Sequence, residues 1–222
     1  MSGLRRRLSL VLILLGMASP LAAQDPQVKI PELAPDVALR PFFLVTGQRQ
    51  AAAETFEAVF GQTVQPFFGG GVQLAFSNGL YADVAISRFS KSGERAFVDD
   101  SESFGLGIPL KATIMPIEAT AGFRFGAEWS SVVIPYIGAG VSSYKYTESS
   151  DFAEPGDDIS LRGTGYLVVG GAEFRLHRWV VASADVQFTH VGGILGDGGL
   201  SELTGEDDLG GVAARFRVII GR

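Results

Sequence analysis

The chain has 222 residues, a formal net charge of −6 and no cysteine. That length allows one or two domains, the acidic balance argues against nucleic acid or an anionic headgroup surface as a general partner, and the absence of thiols excludes a disulfide framework. Glycine is abundant, at 29 residues against a usual share of about 7%, but it does not recur at every third position; this excludes a collagen-like chain and points to many short strands with tight turns.

The N-terminal residues read as an address rather than as structure. Arg5-Arg6-Arg7 precedes an apolar run from Leu8 to Met17, and Leu21-Ala22-Ala23 puts small residues before Gln24, the pattern of a signal peptide over 1–23. The run is about half of the ~20 apolar residues that a spanning helix needs, and no later stretch is continuously apolar at that length. Removing the three arginines from 18 basic residues leaves 15 against 24 acidic ones, or −9. Residues 24–36, with Pro26, Pro31 and Pro35, read as a leader, and 37–222 as the folded domain.

Eight strands are expected in that domain. The first is Val37 to Thr46, where Pro41 suits the start or edge of a strand and leaves the phase open. Ala51 to Phe60, followed by Gly61, reads as a short helix with a glycine cap, packed over the mouth of a barrel. In the second strand, Phe67 to Phe76, Phe68, Val72, Leu74 and Phe76 oppose Gly69, Gly71, Gln73 and Ala75. Ser77-Asn78-Gly79 is a tight turn. In the third, Leu80 to Phe89, Leu80, Ala82, Val84 and Ile86 oppose Tyr81, Asp83, Ala85 and Ser87. Ser90 to Ser103 reads as a polar connection.

The fourth strand lies within Leu106 to Phe125, where Ile117, Ala119, Ala121, Phe123 and Phe125 oppose Glu118, Thr120, Gly122 and Arg124. A bulge near Pro116 is expected to reset its phase. A short link, Gly126 to Ser131 with Trp129, leads to the fifth strand, Val133 to Tyr146. Glu148 to Ser160 is a long acidic connection. The sixth and seventh strands, Tyr166 to Leu176 and Val180 to Thr189, form a hairpin across His177-Arg178. One side of that hairpin is apolar, and the other carries Glu173, Arg175, Ser183, Asp185, Gln187 and Thr189. Val191 to Asp208 is a glycine-rich connection ending in Glu206-Asp207-Asp208. In the eighth strand, Leu209 to Gly221, Val212, Ala214, Phe216, Val218 and Ile220 oppose Arg215 and Arg217.

The count is even, and the connections alternate between long and short. The fold class this predicts is all-β: an eight-stranded antiparallel up-and-down transmembrane β-barrel with four long outer loops and short periplasmic turns. An exported chain without a spanning helix enters lipid only as a closed sheet, because lipid cannot satisfy backbone polar groups. The polar side then lies inside, where Gln73, Asp83, Glu118, Arg124, Glu173, Arg175, Asp185, Gln187, Arg215 and Arg217 can pair in a filled lumen. A soluble lipocalin-like barrel with a greasy interior is the alternative, with the same charges on its solvated face.

The run Pro135-Tyr136-Ile137-Gly138-Ala139-Gly140-Val141, preceded by Gly122-Phe123-Arg124-Phe125, resembles the central hairpin of the OmpA/OmpW-like outer-membrane β-barrel domain. Gly170-Gly171-Ala172-Glu173-Phe174-Arg175 is similar to its later strands. The resemblance covers roughly Val37 to Arg222 and implies the bacterial outer membrane, with lipid, lipopolysaccharide and the barrel assembly machinery as partners and a monomeric state. The roles it implies are structural anchoring, small-molecule passage, adhesion or, rarely, lipid-modifying catalysis. Many such domains end on an aromatic residue; here the last aromatic is Phe216.

Little in the sequence carries chemistry. Gly69-Gly70-Gly71 and Gly138-Ala139-Gly140 sit inside strands without a following helix, so they relieve crowding rather than cradle phosphate. His190, near the end of the seventh strand, is the candidate for a rim hydrolase, with Ser142, Ser143, Ser160 and Asp185 as loosely placed partners; a polar residue beside a loop is the plainer reading. The acidic connections could hold divalent cations against lipopolysaccharide, but no twelve-position calcium loop is present. No cofactor, catalytic residue or metal ligand is assigned. The expected function is a non-enzymatic structural or surface barrel, with a narrow channel, a rim hydrolase and a periplasmic binder as alternatives.

Overall fold

A computed structural model describes residues 37–99, 102–126, 132–149, 159–194 and 205–221. The expected signal peptide and leader lie outside the described residues, as do Trp129 and most of the acidic connection, from Asp151 to Asp158. Eight strands and one helix follow in the order β1 (Val37–Gln50), α1 (Ala53–Phe60), β2 (Val64–Phe76), β3 (Leu80–Asp99), β4 (Glu102–Arg124), β5 (Val133–Ser149), β6 (Ile159–His177), β7 (Val180–His190) and β8 (Gly211–Ile220). Each strand pairs antiparallel with the next, and β8 returns to β1 from Phe42↔Ile219 to Gln50↔Gly211. The sheet is therefore a closed up-and-down barrel without an edge, as the sequence predicts. No helix among the described residues is long and apolar enough to cross a membrane.

Side chains alternate across the wall with period two. Leu39, Phe43, Phe68, Val84, Val141, Val168, Val186 and Phe216 face outward and are exposed, Phe43 to 67%. The opposite set, including Gln73, Asp83, Glu118, Glu173, Asp185, Gln187 and Arg217, is buried. This arrangement turns the usual globular one inside out. The phase of β1, which the sequence leaves open, is set with Arg40, Phe42, Leu44, Thr46, Gln48 and Gln50 inward. Phe42 and Leu44 are as apolar as their outward neighbours Phe43 and Val45, so alternation could not show it.

Three expectations are corrected. Ser90 to Ser103 is not a loop: β3 and β4 continue as an antiparallel ribbon down to Asp99↔Glu102. Ala96, Phe97 and Val98 stand in an unbroken run between Arg95 and Asp99, so the segment has no two-residue alternation to read. The β3–β4 register shifts at Glu94/Ala96 rather than at Pro116. Around Pro116 the β4–β5 register is unbroken, with Ile114, Pro116, Glu118 and Thr120 all buried on one face. Proline lacks the N–H for a ladder bond, and the β3–β4 pairing is interrupted between Ile86↔Ile117 and Phe89↔Ile114 without a change of phase. The β6–β7 turn is Arg178-Trp179, with a bulge between Arg175 and His177.

The barrel has a turn end and a loop end. At the turn end Gly79 takes φ 89°, as the Asn-Gly signal requires, and donates its N–H to Phe76 O at 3.2 Å. At the loop end α1 is held by both its termini. Glu206 accepts the N–H groups of Glu54 and Thr55 at 3.1 and 2.8 Å, using a carboxylate where the first turn has unpaired donors and a positive dipole end. Lys91 Nζ donates to Phe60 O at 3.0 Å at the other terminus, and Gly61 caps the helix in the left-handed region.

Within the wall, a Cβ on Gly71 would strike Val84 O and the Phe42 ring, so the glycine run does relieve crowding. Gly71→Val is expected to cost about 1–3 kcal/mol by overpacking. Urea unfolding of the refolded protein measures this, and an unchanged midpoint would count against the close approach.

Candidate functional site

The interior is layered from the turn end to the loop end. In the first layer, Arg40 donates to Glu173 through both terminal nitrogens, at 3.4 and 3.0 Å, and Arg124 Nε lies 3.6 Å from the same carboxylate. Arg175 is half-buried beside them. Above this, Tyr81 and Tyr136 meet edge-to-face with centroids 5.8 Å apart and pack with Val169. Phe42, Leu44, Ala85, Val181 and Ile219 form a second apolar cluster.

The middle layer is ionic. Arg217 donates to Asp83 at 3.1 Å and to Ser183 Oγ at 3.1 Å, and its NH2 contacts Asp185 at 3.3 Å and Tyr136 Oη at 2.5 Å. Its guanidinium also lies 5.3 Å from the ring centroids of both Phe42 and Tyr136. Arg215 bridges Asp185 at 2.5 Å and Glu118 at 3.2 Å. Tyr136 Oη in turn donates to Asp185, and Gln187 donates to Glu118 at 2.7 Å and to Thr189 at 2.8 Å. Each of these carboxylates and guanidiniums therefore has an opposite charge in contact, the condition under which buried charge is tolerated.

The loop end is closed by apolar side chains. Phe67, Phe89, Ile114 and Tyr144 from the wall pack with Ala52 and Phe56 at and beside α1, and with Val191, Ile194 and Leu209 from the β7–β8 connection. Sequence reading places the short helix over a mouth but does not find this layer. Its members are scattered over six segments and meet only when the sheet closes.

Of the ten residues expected in the lumen, nine are buried inside the wall and Arg175 is half-buried near the turn end. Gln73 Oε1 lacks a hydrogen-bond partner. Arg40 and Tyr136 join the buried network although the sequence does not mark them for the lumen: Arg40 lies in the strand of unread phase, and Tyr136 looks like an ordinary strand aromatic. Ser183, on the inward side of the β6–β7 hairpin as the alternation predicts, accepts a hydrogen bond from Arg217.

His190 is organised differently from the rim-hydrolase alternative. Its Nδ1 lies 2.6 Å from Asp208 Oδ2, while Asp208 Oδ1 accepts the N–H groups of Val191 and Gly210 at 2.8 and 2.7 Å. Its ring stacks at a tilt on Tyr166 with centroids 5.2 Å apart. Asp185 is committed to the lumen. Ser142 is buried on the inner face, and Ser143 faces outward. Ser160 lies six residues beyond Tyr166, His190's register partner on β6, or about 20 Å along the strand. These contacts make the pair a staple for the β7–β8 connection. Among the described residues no group of three or more His, Asp or Glu could hold a metal ion.

No family model matches the chain, and no curated protein matches it. Solved structures similar to it include the N-terminal β-barrel domain of OprF from Pseudomonas aeruginosa, at 13% identity over 82% of this chain and 97% of that one, with a TM-score of 0.44. Neisserial surface protein A is 14% identical over 84% and 94%, with a TM-score of 0.46. Ail of Yersinia pestis is 14% identical over 83% and 95%, with a TM-score of 0.44. These likenesses single out no one family, the OmpA/OmpW-like domain expected from the central hairpin included.

Arg217→Met would leave Asp83 without its ion pair and Asp185 with Arg215 alone, and is expected to cost about 3–5 kcal/mol. Adding Asp83→Asn should recover part of that loss. Urea unfolding of the two variants tests this, and equal stability of both would break the pairing.

Proposed function

We propose that the protein is a closed outer-membrane barrel with a structural or surface-interaction role and no catalytic activity. The observation that carries the reading is the inverted wall: exposed aliphatic and aromatic side chains on all eight strands around a lumen of paired charges. Soluble monomers rarely expose contiguous apolar surface beyond a few hundred Å², and a closed sheet is the one β architecture that leaves no unpaired backbone toward lipid. The basic and apolar segments of residues 1–23 support export with removal of that stretch, and lipid, lipopolysaccharide and the assembly machinery are the partners such an address supplies. The polar ribbon of β3–β4 and the extended ends of β5 and β6 project from the loop end, so contacts with the outside fall to them. Ionic middle and apolar closure together support a plugged anchor over a channel.

Two measurements test this. Ala184→Arg, in the middle of the outward apolar band, should cost about 2–4 kcal/mol in lipid vesicles, whereas Thr164→Arg toward the loop end should cost about 0–1 kcal/mol. Equal costs, or folding in buffer without lipid or detergent, would overturn the membrane reading. In planar bilayers the protein should give no reproducible nanosiemens-scale openings, and steady conductance would overturn the plugged form.

A further inference from the structure

The charges of the interior are not evenly distributed. The middle layer sets Arg215 and Arg217 against Asp83, Glu118 and Asp185. Among the described residues the turn-end layer sets Arg40 and Arg124 against Glu173, with Arg175 as a further cation that acts on both Arg124 and Arg40. Two buried guanidiniums thus share one carboxylate where β1 and β3 begin and β4 and β6 end.

A second, independent observation falls on the same residues. Arg40 spends its terminal nitrogens on Glu173, and its Nε–H has no partner. Arg124 Nε–H, 3.6 Å from Glu173, has no hydrogen bond either, and Tyr81 Oη, in the neighbouring layer, is likewise unpartnered. Arg40 is only 3% exposed, Arg124 6% and Tyr81 2%. Leaving a buried donor unmet is costly, and more so on a charged group. A bound water would satisfy the donors but not the excess charge; an oxyanion satisfies both.

From this we infer that the turn end of the lumen is a binding site for a small soluble oxyanion, a carboxylate or phosphate, held by Arg40 and Arg124 with Arg175 at its entrance. Entry from the turn end follows from the apolar layer that closes the opposite mouth. The site is defined by the barrel interior, so it stands whether or not the outer wall faces lipid.

The test follows the arginine Nε–H resonances of the refolded protein in zwitterionic micelles during titration with inorganic phosphate, then acetate, against chloride at matched ionic strength. Saturable shifts are expected at Arg40 and Arg124, while Arg215 and Arg217, whose Nε–H groups are already bonded to Asp185 and Ser183, should stay still. Arg175→Gln should weaken phosphate binding about threefold. Glu173→Gln removes the competing carboxylate and should tighten it about tenfold. Shifts that match chloride, that spread over all the arginines, or that need an anionic lipid in the micelle would overturn the site, as would weaker binding in Glu173→Gln. If that variant fails to fold, the wild-type titration still decides. A protein that folded without micelles would sink the membrane reading, yet could still be titrated.

Discussion

Closure of the sheet is the constraint on which everything else rests. Once β8 pairs with β1, every strand has a neighbour on both sides, and the backbone no longer needs solvent to satisfy its donors and acceptors. That frees the outer face to be apolar throughout. It also confines the second side-chain set to an enclosed cylinder, where any charge must find its partner among other strands. Arg217 shows the consequence: its contacts reach β3, β5 and β7 from its place on β8.

Such a network is not in itself a large source of stability, because the desolvation of each ion offsets much of its attraction to its partner. Its effect is on specificity. A one-residue slip of any strand would carry its charged set to the outer face and its apolar set inward, unpairing Asp83 or Asp185 at the same time. The tyrosine pair with Val169 and the second apolar cluster between the ionic layers keep guanidiniums at defined levels, and Tyr136 both supports Arg217 and bonds Asp185.

The loop end obeys different physics. Here the β7–β8 connection is tied down twice, by Asp208 to its own backbone and to His190, and by Glu206 to the first turn of α1. Those polar anchors hold an apolar layer of phenylalanine, isoleucine and leucine side chains across the mouth. An eight-residue helix is too short to persist alone, and it survives because its termini are capped by residues from elsewhere in the chain. The same carboxylates that read in sequence as an acidic run thus serve as helix cap and loop staple.

Strand number and the inward phase of β2, β3, β4, β6, β7 and β8 were determined by side-chain alternation, since a two-residue period survives in any environment that separates two faces, and the antiparallel order by the alternation of long and short connections. The phase of β1, the polar β3–β4 ribbon and the unbroken register through Pro116 were not legible. In each of these the local sequence offers two apolar faces, no two-residue alternation, or a residue that breaks one bond without bending the strand, and only pairing with the neighbouring strands chooses. Charge pairing was decided by closure in the same way. Arg40 and Glu173 lie 133 residues apart in the chain, and no local pattern records which carboxylate a guanidinium will meet once eight strands have curved into one wall.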